Sequence, residues 1–82
     1  MSKFAIITGG SSGIGRHLVC AFAKAGYAVA FTHLGQAEAA GEVEAEAAAA
    51  GGRAIGRECE VANAAAIERF LDEAIDFAGR VP

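Results

Sequence analysis

The sequence predicts an α/β fold in which three strands alternate with three helices, β-α-β-α-β-α, the strands lying parallel in the spatial order 3-2-1. Three observations predict it. The strand segments are apolar without alternation, as in Phe4, Ala5, Ile6 and Ile7, the pattern of strands covered on both faces. The segments between them repeat apolar residues at helical spacing. Glycines punctuate the junctions, at Gly9 to Gly15, Gly26 and Gly51-Gly52. Short connections and right-handed crossovers then leave a parallel sheet as the solution.

The first strand is expected over residues 3–8 and the first helix over residues 14–25. Ile14, Leu18, Ala21, Phe22 and Ala25 recur at helical spacing and form its expected inner face. Gly26 supplies a left-handed stop. The second strand is expected over residues 28–32. The second helix, over residues 36–50, is rich in alanine and glutamate, both strong helix formers. Its apolar stripe is Ala40, Val43, Ala47 and Ala50, with Gly41 weakening it and Gly51-Gly52 ending it. A third strand is expected over residues 53–59. Asn63 is an N-cap residue type, and the third helix follows over residues 64–78. Ile67, Phe70, Leu71, Ala74, Ile75 and Ala78 face inward there, and Gly79 closes the helix.

The 82 residues are expected to form one domain, with 54% hydrophobic residues and a formal net charge of −3. A chain this short hides only about 60% of its unfolded surface, so marginal stability is expected. No basic stripe is present to neutralise phosphates, which argues against nucleic-acid binding. No apolar run reaches the length of a membrane span. Met1-Ser2-Lys3 leads directly into the first strand pattern, without the apolar segment of a signal peptide. Cys20 and Cys59 lack metal or redox spacing. They read as reduced thiols of a cytoplasmic protein, and no metal site is expected. Glu38, Glu42, Glu44 and Glu46 read as a solvated helix face.

Thr8-Gly9-Gly10-Ser11-Ser12-Gly13-Ile14-Gly15 lies between the first strand and the first helix. In that context the glycines have separate tasks. Gly9 permits the tight turn, Gly13 removes a Cβ where a pyrophosphate must come close, and Gly15 lets the helix pack against the strand. The helix start contributes unpaired N–H groups and the positive end of its dipole. Ser11 and Ser12 are expected to add hydroxyl donors. The rival reading, a P-loop over Gly10 to Gly15, requires Lys and then Ser or Thr. Arg16 and His17 stand there instead.

On these residues the chain resembles the short-chain dehydrogenases/reductases, whose Thr-Gly-x-x-x-Gly-x-Gly fingerprint Thr8 to Gly15 matches. The wording is most similar to members of the 3-oxoacyl-carrier-protein reductase and glucose dehydrogenase type. The resemblance implies one half of a Rossmann fold, residues 1–82 being the N-terminal mononucleotide-binding half of an NAD(P)-binding domain. It implies cofactor-binding roles for Gly9, Ser11, Ser12, Gly13, Ile14 and Gly15, with Arg16 beside them. Thr32 and His33 fall where the family reads the adenosine ribose, and Glu60-Val61 where an Asp-Val pair meets the adenine. Because Thr32 is not acidic, the resemblance implies NADP ahead of NAD, with NAD as the alternative; His33, only partly charged at neutral pH, stands where NADP-preferring members often carry a basic residue. The family's next strand, its Asn-Asn-Ala-Gly segment, its catalytic Ser and its Tyr-x-x-x-Lys pair would all follow Pro82. Tyr27, the only tyrosine, has no lysine at the required offset. No catalytic residue is therefore expected in this chain.

Two functional readings result. In the first, the chain is the cofactor-binding N-terminal portion of an NAD(P)-dependent oxidoreductase acting on carbonyl or hydroxyl groups, catalytically incomplete as it stands. In the second, it is a free-standing nucleotide-binding or interaction module. In both, the first strand has an open edge, so pairing with a missing C-terminal half or self-association through that edge is expected.

Overall fold

A computed structural model describes residues 3–81. The expectations placed on Met1, Ser2 and Pro82 lie outside the described residues. The chain folds as β1 (Phe4–Ile7), α1 (Gly13–Lys24), β2 (Ala28–His33), α2 (Ala37–Ala49), β3 (Arg53–Glu58) and α3 (Ala64–Arg80). The sheet is parallel with β2 at its centre, in the order β1-β2-β3, which is the expected 3-2-1 read from the other side. Phe4 pairs with Ala28 and Ile7 with Phe31. Ala28 pairs in turn with Arg53 and His33 with Glu58. This register brings the carboxyl ends of all three strands to one edge of the molecule.

The sheet is covered on both faces. On one, Val19 and Ala23 of α1 and Ala40, Val43 and Ala47 of α2 pack on Val29 and Phe31. On the other, Phe70 and Ala74 of α3 pack on Ala30 and Cys59. Every residue of β2 is buried, as the unbroken apolar run predicts. β1 departs from that expectation: its residues are half-buried to exposed, with Ile6 at 42%. Among the described residues no strand pairs with its outer edge.

The expected inner face of α1 is corrected. Ile14 is 81% exposed and Leu18 is also exposed, as are Ala21 and Ala25, while Phe22 is half-buried. The face that meets the sheet runs through Gly15, Val19 and Ala23, spaced four residues apart. The cause is the contact at Gly15, where an added Cβ would stand 2.0 Å from the Gly9 carbonyl oxygen. That approach sets the rotation of the helix and turns the larger side chains outward. In α2 the expected stripe holds for Ala40, Val43 and Ala47, while Ala50 is the exposed C-cap residue. In α3, Phe70 and Ala74 are buried, whereas Leu71 and Ile75 are exposed.

Gly26 and Gly51 take left-handed conformations at the ends of α1 and α2 (φ 94° and 92°). Gly79 does not close its helix. It lies inside α3, which continues to Arg80 and ends where Val81 turns extended, because Gly79 does not adopt the positive φ that stops a helix.

The acidic run of α2 is also more than a solvated face. Arg16 of α1 grips Glu46 through Nε (3.2 Å) and a terminal nitrogen (2.8 Å) and approaches Glu42 at 3.4 Å. Glu44 accepts a 2.7 Å hydrogen bond from the Gly56 amide of β3. Both contacts are long-range polar tethers, so helical periodicity gives no sign of them.

Candidate functional site

The turn between β1 and α1 is built by its glycines. Gly9 and Gly13 both adopt positive φ (69° and 59°), a conformation that side-chain-bearing residues rarely hold. A Cβ at either position would meet nothing within 4 Å, so the absent side chain leaves open space above the backbone. Gly10, to which the sequence assigns no task, is buried against Phe31, where a Cβ would come within 2.6 Å. α1 then starts at Ser12, extended and without a side-chain cap, with no acidic residue in the first turn. Its first N–H groups keep their partial positive charge.

The β2–α2 corner holds this turn. The Gly9 amide donates to Thr32 Oγ1 (3.1 Å) and the Gly10 amide to the Thr32 carbonyl (3.0 Å). Ser11 Oγ donates to Oε1 of Gln36, and the Gln36 amide donates to His33 Nδ1 (3.2 Å). The Ser11 hydroxyl, expected to add a donor to the turn, is buried and donates to Gln36. Thr32, expected at the ribose position, is buried with its hydroxyl oxygen turned to the glycine turn.

A crevice of about 310 Å³ opens at the carboxyl ends of the strands, lined by Thr8, Gly9, Thr32, His33, Leu34, Cys59, Glu60 and Val61. It gathers five of the expected residues: Gly9, Thr32, His33, Glu60 and Val61. Ser11, Ser12, Gly13, Ile14 and Gly15 belong to the adjoining turn and helix start and are not in its wall. Thr8, Leu34 and Cys59 are lining residues that motif reading misses. Their signal is positional, since each lies just beyond the end of a parallel strand, where open α/β sheets form their crevice. Glu60 is exposed, and its Oε1 accepts the Ala62 amide at 3.1 Å.

Behind the turn, Arg16 braces α1 against α2. Hydrogen bonding to its guanidinium lowers the Glu46 carboxyl below its ordinary value. Burial, followed by the nearby Glu46 carboxylate, pushes the Cys20 thiol up, away from the thiolate that reactivity requires.

Residues 3–82 match the family profile described as short chain dehydrogenase. The chain belongs to the short-chain dehydrogenase family. It is 34% identical over 80 residues to a 3-oxoacyl-[acyl-carrier-protein] reductase of Synechocystis, a match covering 98% of this chain and 32% of that protein. To the 7alpha-hydroxysteroid dehydrogenase of Escherichia coli K12 it is 35% identical over 79 residues, covering 96% of this chain and 31% of the relative. This short-chain dehydrogenase sequence thus spans about a third of the length of the curated relatives it matches. Among solved structures, a dehydrogenase/reductase from Sinorhizobium meliloti superposes with a TM-score of 0.90 at 40% identity, over 94% of this chain and 31% of that one. A 7 alpha-hydroxysteroid dehydrogenase complexed with NADH and 7-oxo glycochenodeoxycholic acid superposes with a TM-score of 0.87 at 35% identity, over 96% and 31%. Membership of the family supports an oxidoreductase lineage and the parallel α/β architecture. No helix among the described residues is long and apolar enough to cross a membrane.

Proposed function

We propose that this chain is the N-terminal, cofactor-binding half of an NAD(P)-dependent oxidoreductase acting on carbonyl or hydroxyl groups, and that NADP is its preferred cofactor in the cytoplasm. One observation carries the reading: the side-chain-free turn at Gly9 and Gly13 opens beside a crevice where three strand ends converge. The residues fit a dinucleotide. The turn has room where a Cβ would stand, the start of α1 has no carboxylate to repel an anion, and the crevice is partly apolar in the way a planar base requires. Gly9, Ser12, Gly13 and the first amides of α1 would hold the pyrophosphate. His33 would take the ribose end, and Glu60 and Val61 the adenine. When bound, the cofactor supplies the hydride chemistry. What this chain contributes is binding and orientation. The end of β2 itself carries Thr32 and His33 and no carboxylate, which supports NADP over NAD because that strand end lacks the acidic side chain that would accept the ribose hydroxyls and repel a 2′-phosphate.

Titration calorimetry with NADP, NAD and AMP tests the proposal. NADP is expected to bind more tightly than NAD, and Gly13→Val to abolish the heat of binding. Equal or reversed affinities would overturn the cofactor preference; flat titrations with all three would overturn the site.

The unpaired edge of β1, with Ile6 exposed, supports a second element of the reading. Such an edge takes up a further strand, from the same polypeptide or another copy. The 82-residue chain alone is expected to self-associate, and sedimentation velocity showing one 8.3 kDa species would contradict this.

A further inference from the structure

Three consecutive residues of the glycine turn are tied to the β2–α2 corner. Gly9 and Gly10 are held by Thr32, and Ser11 is held by Gln36. The third tie differs because Gln36 has a second attachment. Its side-chain oxygen accepts from Ser11 Oγ while its backbone amide donates to His33 Nδ1 at 3.2 Å. His33 is 7% exposed and lines the crevice. A ring nitrogen that accepts a hydrogen bond carries no proton, so the neutral imidazole that makes this contact holds its proton on Nε2.

We propose that Gln36 is a positioning residue of the cofactor site. It clamps the turn that takes the pyrophosphate to the imidazole at the ribose end. It thereby leaves the Nε2–H of His33 as the donor offered to the 2′ substituent of an adenine nucleotide. The proposal rests on the cofactor reading above. Its physical content is preorganisation. The turn contains two positive-φ glycines, and a backbone that is free to move loses entropy when a ligand fixes it. A side-chain tether removes part of that loss before the ligand arrives. Gln36 is itself exposed, so its side chain buries little that would matter to the core.

The test is a double-mutant cycle on the full chain, with ADP and NADP as probes. Gln36→Ala and Ser11→Ala are each expected to weaken both ligands by about three- to tenfold, the usual span for one lost hydrogen bond. The double variant is expected to bind no worse than either single variant, because the two side chains act through one bond. The thermal midpoint of Gln36→Ala should fall only by the few degrees that one lost hydrogen bond explains. Nitrogen-15 shifts of the His33 ring should report the Nε2–H form in the wild-type chain. If the wild-type chain binds neither nucleotide, the cofactor reading fails and takes this inference with it. If it binds both and the two single variants bind equally well, or the losses simply add, the Gln36 inference fails while the cofactor reading stands. A His33 protonated at Nδ1 overturns the inference without any ligand.

Discussion

α1 and α3 begin at the same edge of one sheet and treat their free N–H groups in opposite ways. At α3, Asn63 accepts the Ala66 amide at 3.0 Å, so one orphan donor is satisfied from within. At α1, Ser12 is extended, makes no side-chain cap, and is approached by a turn whose glycines leave space. One helix start is closed for stability. The other gives up that cap and is positioned instead by the backbone contact at Gly15, the Thr32 bonds and the grip of Arg16 on Glu46. The difference teaches which helix start keeps donors to offer: the one that is rigidly placed but not self-satisfied, where the proposed cofactor site lies.

The largest effect should come from breaking the placement of α1. A Cβ at Gly15 would meet the Gly9 carbonyl oxygen at 2.0 Å, and backbone cannot swing aside as a side-chain tip can. Gly15→Ala is expected to cost about 3 kcal/mol or more, a large share of the stability of so small a domain. The measurement is chemical denaturation against Gly41→Ala as control. Gly41 is helical with nothing within 4 Å of an added Cβ, so that change should stabilise by about 0.5–1 kcal/mol. Equal behaviour of the two variants would show that the close approach does not hold α1.

Gly15 also marks the limit of what the sequence discloses. The three strands, three helices and their order are legible because unbroken apolar runs, helical spacing and left-handed glycines at residues 26 and 51 each have one simple reading. The rotation of α1 is not, because pattern reading looks for large apolar side chains and chooses Ile14 and Leu18. The contact that orients the helix is made by a residue with no side chain at all. The site divides the same way. The glycine turn and the strand ends are visible as motif and position. Ser11–Gln36 and Glu44–Gly56 are not, since they join distant polar residues with no periodicity to betray them.

The comparison itself is tested by removing each N-cap side chain. Asn63→Ala should lower stability by about 1 kcal/mol and leave nucleotide affinity unchanged. Ser12→Ala should change stability by less than about 0.5 kcal/mol, because no cap bond is lost, while weakening any phosphate ligand at the turn. A Ser12→Ala loss as large as that of Asn63→Ala would mean both helices are capped alike, and the distinction would fall.

The smallest effect concerns the ion pair that braces α1. Glu46 is held below its ordinary value chiefly by the hydrogen bonds from Arg16, and the same pairing raises Arg16, which stays charged in the acid range. A carboxyl depressed in the folded state adds stability above its unfolded pKa and loses it as the pH falls through the folded value. Both partners are solvent-accessible, so the contribution is small and screened by salt. The Tm gap between the wild-type chain and Glu46→Gln should therefore be greatest near neutral pH and low ionic strength, and should close on acidification. A gap that stays constant down to strongly acid pH would mean that Glu46 braces α1 by packing alone, and that the uncapped helix start is held in place without any help from charge.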